Sequence, residues 1–312
     1  MYDYIIVGSG LYGLLIAYKL NLFEKKTLLV DKKNPKKVFK NDFMIITKKS
    51  YNLLQDLLNV EIDNFIYKKY NNFIFNNKKV NKIYYILDLK KLKKYIFDNI
   101  KNINIKFNIK IEKYLYKQNK LVIDNKEYYY KNLIAADGTL SEIRMNNTRK
   151  IQKFLVDVSL KSKKNNKENV INYSKYDKHF EQMFTVRNNS YLRIINKKRK
   201  NDIFNNINEI KNKYEFESNK INVNLIPNGD IYLNKNNIYF IGDSSGLIDP
   251  FNHLTMEYNL IIINMFPNFD KKKIKKIKKD ILKKKMISKF LYLPIIDKLI
   301  IKLVNSRKED LW

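Results

Sequence analysis

The run Tyr4-Ile5-Ile6-Val7-Gly8-Ser9-Gly10-Leu11-Tyr12-Gly13 restricts the fold more than any other part of the chain. Four apolar residues without alternation read as a strand buried on both faces, as in a parallel sheet. Three glycines follow at GxGxxG spacing. The first permits a tight turn, the second lets backbone approach a pyrophosphate, and the third lets the next helix pack close on the strand. The start of that helix offers unpaired N–H groups and a positive dipole end to phosphate oxygens. A second apolar strand, Thr27-Leu28-Leu29-Val30, ends at Asp31, 23 residues after Gly8. A carboxylate at that place accepts hydrogen bonds from ribose hydroxyls. Strand, loop, helix and acid together predict a dinucleotide site at Gly8, Gly10, Leu11, Tyr12, Gly13, Asp31 and the adjoining Lys32.

Two later segments repeat the theme of a buried strand running into glycine and acid. One is Ala135-Ala136-Asp137-Gly138-Thr139-Leu140-Ser141-Glu142-Ile143-Arg144. The other is Ile241-Gly242-Asp243-Ser244-Ser245-Gly246-Leu247-Ile248-Asp249-Pro250. Small residues bring backbone near a polar ligand there, and Asp243 can accept hydrogen bonds from a polyol chain.

At 312 residues the chain is long enough for about two domains. The reading between the glycine loops is interleaved. Helices are expected at 14–20, 48–58, 88–100, 202–213, from about 255, and across 270–304 with a break at Pro294. Residues 62–86 read as a hairpin or meander broken at Asn71-Asn72 and Asn76-Asn77. Strand-like pieces lie between 103 and 130, turning at Gln118-Asn119 and Asp124-Asn125, with a separate short strand at 133–136. Further strands are expected at 154–160, 191–195, 221–226 and 237–241. The fold class is therefore α/β: a Rossmann-like nucleotide-binding domain with an inserted antiparallel β-sheet substrate domain and C-terminal helices. The expected division places 1–60, 88–150 and 232–268 in the nucleotide domain, 61–87 and 151–231 in the substrate domain, and 269–312 in a helical tail.

Composition excludes several classes of chemistry. The absence of cysteine removes disulfides, thiolate metal sites, iron–sulfur clusters and thiol nucleophiles. His179 and His253 are the only imidazoles, so a multi-histidine metal site is not expected. The formal charge of +31 comes almost wholly from Lys, with Arg only at 144, 149, 187, 193, 199 and 307. Base and phosphate readout leans on the Arg fork, so no specific nucleic-acid partner is expected. Lys, Asn, Ile and Tyr are inflated together, as an AT-rich genome would produce. The apolar start carries Asp3 and lacks a basic leader, so export is not expected, and no uncharged run reaches the ~20 residues of a membrane span. The expected location is cytoplasmic, with the Lys-rich 270–304 stretch offering either a solvated helix face or a peripheral contact to an anionic membrane.

The ordered trio GxGxxG, DGxxSxxR and GDxxGxxxP resembles the FAD-dependent hydroxylase and geranylgeranyl reductase superfamily, and the likeness spans most of the chain. The run Ser288-Lys289-Phe290-Leu291-Tyr292-Leu293-Pro294 is similar to the tail of geranylgeranyl-reductase-like proteins. The resemblance implies extended FAD, with NADH or NADPH as electron donor. Gly8, Gly10 and Gly13 would hold its pyrophosphate, Asp31 its adenosine ribose and Asp243 its ribitol. Asp137 and Gly138, with Ser141 and Arg144 of the same motif, would lie near the pyrophosphate. The segment from Pro250 to Thr255 would cap the flavin ring. The implied activity is flavin-mediated reduction of an apolar, isoprenoid or other lipid substrate. The alternatives are an aromatic monooxygenase and a non-catalytic flavin or nucleotide binder. UDP-galactopyranose mutase resembles this chain over residues 2–13 but does not fit the Asp137-Gly138 and Gly242-Asp243 motifs. Two departures stand out: Phe251-Asn252-His253 replaces the glycines usual after the proline, and Leu89 matches a position often held by Arg. His253 is the one imidazole near the implied flavin able to shuttle a proton at neutral pH.

Overall fold

The computed structural model describes residues 1–40, 42–75, 78–148, 154–162, 170–174, 179–186, 189–196, 221–227, 230–248 and 256–290, with isolated positions 207, 211, 212 and 216. Its centre is a parallel sheet. Strand β1 (Tyr2–Val7) lies between β2 (Thr27–Asp31) and the second half of β11 (Lys126–Ala135). Outside these, β8 (Asn104–Phe107) pairs with β2, and β18 (Ile238–Phe240) pairs with β11. Every pairing among these five strands is parallel. The unalternated apolar runs follow from that arrangement, because Ile5, Ile6, Leu28, Leu29, Leu133 and Ile134 are covered from both sides.

One face is covered by helices α1 (Leu11–Leu22), α3 (Lys48–Leu58), α4 (Leu89–Asp98) and α6 (Met256–Asn264), which form a single apolar cluster with β1 and β2. The other face is covered by β10 (Lys120–Ile123), which pairs antiparallel with the first half of β11, and by β9 (Lys113–Leu115), which pairs antiparallel with β10. The expected short strand at 133–136 is thus the end of one ten-residue strand that changes partners midway. The turns at Asn119, Asp124 and Asn125 fall where expected, and all three residues adopt positive φ.

A second sheet of seven strands includes β12 (Phe154–Ser162), β14 (His179–Val186), β15 (Asn189–Asn196) and β16 (Ile221–Pro227), all mutually antiparallel where they pair. One of its faces packs Val158, Leu160, Met183, Leu192 and Ile194 against Ile207 and Phe216. The expected meander over 62–86 divides between sheets. Its outer strands, Ile66–Tyr70 and Tyr84–Asp88, join Phe43–Thr47 in a three-stranded sheet, and Phe73–Phe75 with Lys78–Val80 extends the seven-stranded one. Tyr70 links the two: its hydroxyl donates to the Thr185 carbonyl at 3.0 Å and accepts from the Thr185 N–H at 2.9 Å. The final described helix, α7 (Lys271–Phe290), docks through Ile274, Ile277 and Ile281. Most of the helix expected at 202–213, and everything after residue 290, lie outside the described residues.

Candidate functional site

Three loops meet at the carboxyl ends of the parallel strands, the place where open α/β sheets bind ligands. Gly8 follows β1 with φ +103°, and its N–H donates to the Val30 carbonyl at 2.8 Å. A side chain at Gly8 would strike the Ala136 carbonyl, and one at Gly13 would strike the carbonyl of Gly8. These two glycines are therefore demanded by backbone packing. Gly10 differs: nothing stands within 4 Å of where its Cβ would be, so the loop is open on the side facing the cavity. The same is true of Gly138.

Asp31, at the end of β2, is buried and holds the glycine loop. Its Oδ2 accepts from Ser9 N at 2.6 Å and Ser9 Oγ at 2.7 Å, while Oδ1 accepts from Lys33 N at 2.7 Å. Sequence reasoning placed Asp31 against ribose and did not foresee Ser9. A small hydroxyl residue between the first two glycines was the available signal.

Asp137 follows β11. Ser141 and the N–H groups of Glu142 and Ile143 favour its ionised form, but burial outweighs them and raises its carboxyl to about 6. Its Oδ1 is buried with no hydrogen-bond partner among the described residues. Ser141 caps helix α5 (Glu142–Asn147), accepting from Arg144 N at 3.1 Å. Asp243 lies on the third loop, where its Oδ2 accepts from Thr139 Oγ1 at 3.2 Å. Burial raises its carboxyl; the Thr139 bond and the charge of Arg193 pull the other way. Asn259 of α6 fixes this loop by accepting from Gly242 N at 2.6 Å.

Two neighbouring cavities lie along these loops and share part of their lining. The narrower, about 160 Å³, is lined by Gly8, Gly10, Asp31, Lys32, Lys33, Tyr114, Asp137 and Gly138 among others. The wider, about 680 Å³, opens beyond Asp137, Gly138 and Leu140, which line both, toward the seven-stranded sheet and Asp243. Its other walls include Phe43, Met44, Leu89, Asp157, Ser159, Phe184, Arg193 and Leu225. None of those sheet residues was singled out from the sequence. Asp157 and Ser159 alternate with Val156, Val158 and Leu160, and such a polar face reads as solvated when the strand is considered alone.

The structure thus brings Gly8, Gly10, Asp31, Lys32, Asp137, Gly138 and Asp243 to the cavity walls. Other expected site residues stand behind them. The Tyr12 ring packs on Gly242, where an added Cβ would come within 2.6 Å of it. Leu11 is buried in the helix cluster. Arg144 is almost wholly buried: Nη1 donates to the Ser244 carbonyl at 2.9 Å, Nη2 to the Asp230 carbonyl at 2.5 Å, and the guanidinium lies 5.7 Å from the Tyr232 ring centre. It braces the third loop and does not line either cavity. Pro250, His253 and Thr255 lie outside the described residues. Among the described residues no cluster of three or more His, Asp or Glu is placed to hold a metal ion, and no helix is long and apolar enough to cross a membrane.

No protein-family model matches the sequence, and neither does any curated protein. Solved structures do match the fold over nearly the whole chain. A geranylgeranyl bacteriochlorophyll reductase-like protein from Thermoplasma acidophilum superposes with a TM-score of 0.77 at 13% identity, covering 98% of this chain and 92% of that one. The p-nitrophenol 4-monooxygenase PnpA from Pseudomonas putida gives 0.72 at 12% identity, covering 100% and 95%. PqsL from Pseudomonas aeruginosa, a probable FAD-dependent monooxygenase solved in complex with 2-aminobenzoylacetate, gives 0.71 at 10% identity, covering 98% and 100%. At such identities the likeness establishes the fold, and it is the one the glycine-acid trio led us to expect: the α/β fold of FAD-dependent monooxygenases and of a geranylgeranyl-reductase-like protein.

Proposed function

We propose that the chain is a FAD-dependent oxidoreductase acting on a small molecule held in the wider cavity. The observation that carries this reading is the meeting of three glycine-acid loops along two neighbouring cavities, with Asp137, whose Oδ1 is unpartnered among the described residues, lining both. The residues present fit the cofactor. Gly10 and Gly138 leave open space where any other residue would place a side chain. A buried acceptor without a donor is costly unless a ligand supplies one, and FAD carries ribose and ribitol hydroxyls.

In this reading residues 1–60, 88–150 and 232–268 hold the cofactor, and the strands within 61–87 and 151–231 wall the substrate. Gly8, Gly10 and Gly13 hold the pyrophosphate at the N-terminus of α1. Asp31 has both carboxylate oxygens occupied by Ser9 and Lys33, so a ribose hydroxyl would take a remaining lone pair. Asp243 accepts from the ribitol, and Thr139 keeps it oriented. Bound FAD supplies two-electron redox chemistry, drawing on NADH or NADPH. The protein's share is position, exclusion of water and charge. His253 is the candidate proton carrier on sequence grounds.

Between isoprenoid reduction and monooxygenation of an aromatic compound, the walls favour the second. The ring centres of Phe43 and Phe184 stand 5.3 Å apart, and the part-buried Arg193–Asp157 ion pair lines the same cavity, whereas a long isoprenoid calls for an apolar lining throughout. The aromatic ligand bound to PqsL and the nitrophenol substrate of PnpA are consistent with that choice. Anaerobic addition of NADH and NADPH to the FAD-loaded protein tests the reading. Bleaching of the flavin spectrum and its return with oxygen supports an oxidoreductase. A loaded flavin that neither donor reduces, with and without aromatic ligands present, points to a non-catalytic binder.

A further inference from the structure

A strand at the rim of a sheet carries unpaired N–H and C=O groups that invite another strand, and proteins blunt such rims with Lys, Pro, bulges or short length. Most rims of this chain follow that rule. The parallel sheet ends in β8, which carries Lys106, and in Asn234–Lys235, two residues long. Its antiparallel extension ends in β9, which begins with Lys113. In the three-stranded sheet one rim, Ile66–Tyr70, carries Lys68 and Lys69 and a register shift. The other rim, Phe43–Thr47, has Ile45, Ile46 and Thr47 buried. The seven-stranded sheet ends on one side in Lys78–Val80, with Lys78 and Lys79 in three residues.

Its other rim, β16, breaks the rule. It runs Ile221-Asn222-Val223-Asn224-Leu225-Ile226-Pro227, seven residues without a charge in a chain that is 30% charged. Ile221, Val223 and Leu225 share one face and are 40%, 40% and 37% exposed. Opposite Ile221 and Val223 on β12 stand Leu160 and Val158, both fully buried. The apolar face of the sheet thus continues to its rim and is left uncovered there. The backbone is open on the same side. The Thr139 hydroxyl sits 2.9 Å from the Leu225 carbonyl, which therefore points away from β12. Alternation along an antiparallel ladder then turns the N–H and C=O groups of Val223 and Ile221 outward as well. Among the described residues no strand pairs with β16 on that side. Val223 and Leu225 also line the wider cavity, so the open rim borders it.

We propose that β16 is a dimerisation strand: it pairs antiparallel with β16 of a second copy about a two-fold axis, joining two seven-stranded sheets and setting the partner's strand at the border of each wider cavity. Charge selects this occupant. Copies of a chain at +31 repel wherever their lysines meet, and an uncharged rim is where they can approach. An acidic partner would be met better at the rims that carry Lys. A two-fold contact also has to complement itself, and Ile221, Val223 and Leu225 do so as aliphatic cross-strand neighbours. The exposed apolar strip of one copy then covers that of the other. The proposal does not depend on the flavin reading.

The test uses the full chain, as purified and after reconstitution with FAD. Sedimentation velocity from about 5 to 200 µM should show a monomer–dimer equilibrium, as befits an interface at the small end of the specific range. Val223→Lys sets like charges across the two-fold axis and should weaken the dimer about tenfold or more. Val223→Pro removes an outward N–H and leaves the ladder to β12 intact, so it should weaken the dimer as well. At the dilute end both variants should melt within about two degrees of the parent. The chain has no cysteine, which allows a direct reading. Copies of one residue facing each other across antiparallel strands have Cβ atoms about 4.5–5.5 Å apart, close to disulfide reach. Mild oxidation should therefore link Ile221→Cys or Val223→Cys into a covalent dimer, faster than it links Leu22→Cys, which is exposed on another part of the surface. The proposal is overturned if the chain is monomeric throughout, or if the dimer persists undiminished in both Val223 variants. It is overturned equally if neither Cys at 221 nor Cys at 223 crosslinks faster than the one at 22.

Discussion

Ser9 binds Asp31 twice, through its N–H at 2.6 Å and its hydroxyl at 2.7 Å, both on the same carboxylate oxygen. The bond ties the residue between the first two glycines to the end of the neighbouring strand, so the loop is held in shape before any nucleotide arrives. Ser9→Ala removes the hydroxyl donor from a fully buried position. A loss of about 1–2 kcal/mol is expected, measured by denaturant unfolding, with FAD affinity falling less than tenfold. Asp31→Ala should do both kinds of damage, because it also strands the Ser9 and Lys33 N–H groups.

The glycines divide by what surrounds them. Gly8→Ala and Gly13→Ala force a side chain into backbone and should lower the melting temperature by several degrees, whether or not FAD is present. Gly10→Val enters open space. The apoprotein should melt within a degree or two of the parent while FAD retention is lost. A Gly10→Val protein that still binds FAD at parental affinity would show that the pyrophosphate does not pass there.

Asp137 makes stability depend on pH in a stated direction. Burial lets its folded carboxyl hold a proton up to about pH 6, whereas the unfolded chain releases it near the ordinary carboxylate value of 3.8. Between those values the folded state binds more protons, so this group's contribution falls as pH rises from about 4 to 6 and stays low above. Asp137→Asn should therefore stabilise the apoprotein at pH 7–8 by about 1–3 kcal/mol, a gain that disappears near pH 4. Equal melting shifts at both pH values would contradict this assignment.

Tyr70 holds the small sheet to the large one through both backbone groups of Thr185. Tyr70→Phe should cost about 1–3 kcal/mol, seen by thermal or denaturant unfolding, and leave FAD affinity unchanged.

Helix α7 sets Lys272, Lys275, Lys276, Lys279 and Lys283 on the side opposite its buried isoleucines, with Leu282 and Met286 exposed in the same band. A basic band containing apolar residues fits an anionic lipid surface, each Lys contributing about 1 kcal/mol at low salt. Co-sedimentation with phosphatidylglycerol vesicles should exceed that with phosphatidylcholine. Changing Lys275, Lys279 and Lys283 to Glu should abolish the difference. Equal sedimentation by the variant would leave the band a solvated surface.

Much of this was legible in the sequence for one reason: backbone constraints leave marks that side-chain constraints do not. The loop from Gly8 to Gly13 and the turns at Asn119, Asp124 and Asn125 were readable because few residues tolerate those conformations. The paired strands at 170–174 and 179–186 escaped notice, since polar residues interrupt their alternation. The wall formed by Asp157, Ser159 and Arg193 was equally hidden. A polar strand face looks the same whether it meets water or a cavity, and only the sheet packing across from Asp243 decides which. The division of 62–86 between two sheets depends on partners 14 to 96 residues away, beyond the reach of local periodicity.

The central claim, that the three glycine-acid loops hold FAD, is tested most directly by the visible absorbance spectrum of the purified chain before and after reconstitution. The account predicts a yellow protein with the two bands of oxidised flavin and about one FAD per chain, lost in Gly10→Val at unchanged melting temperature. A folded, colourless protein that takes up no FAD on reconstitution would contradict it.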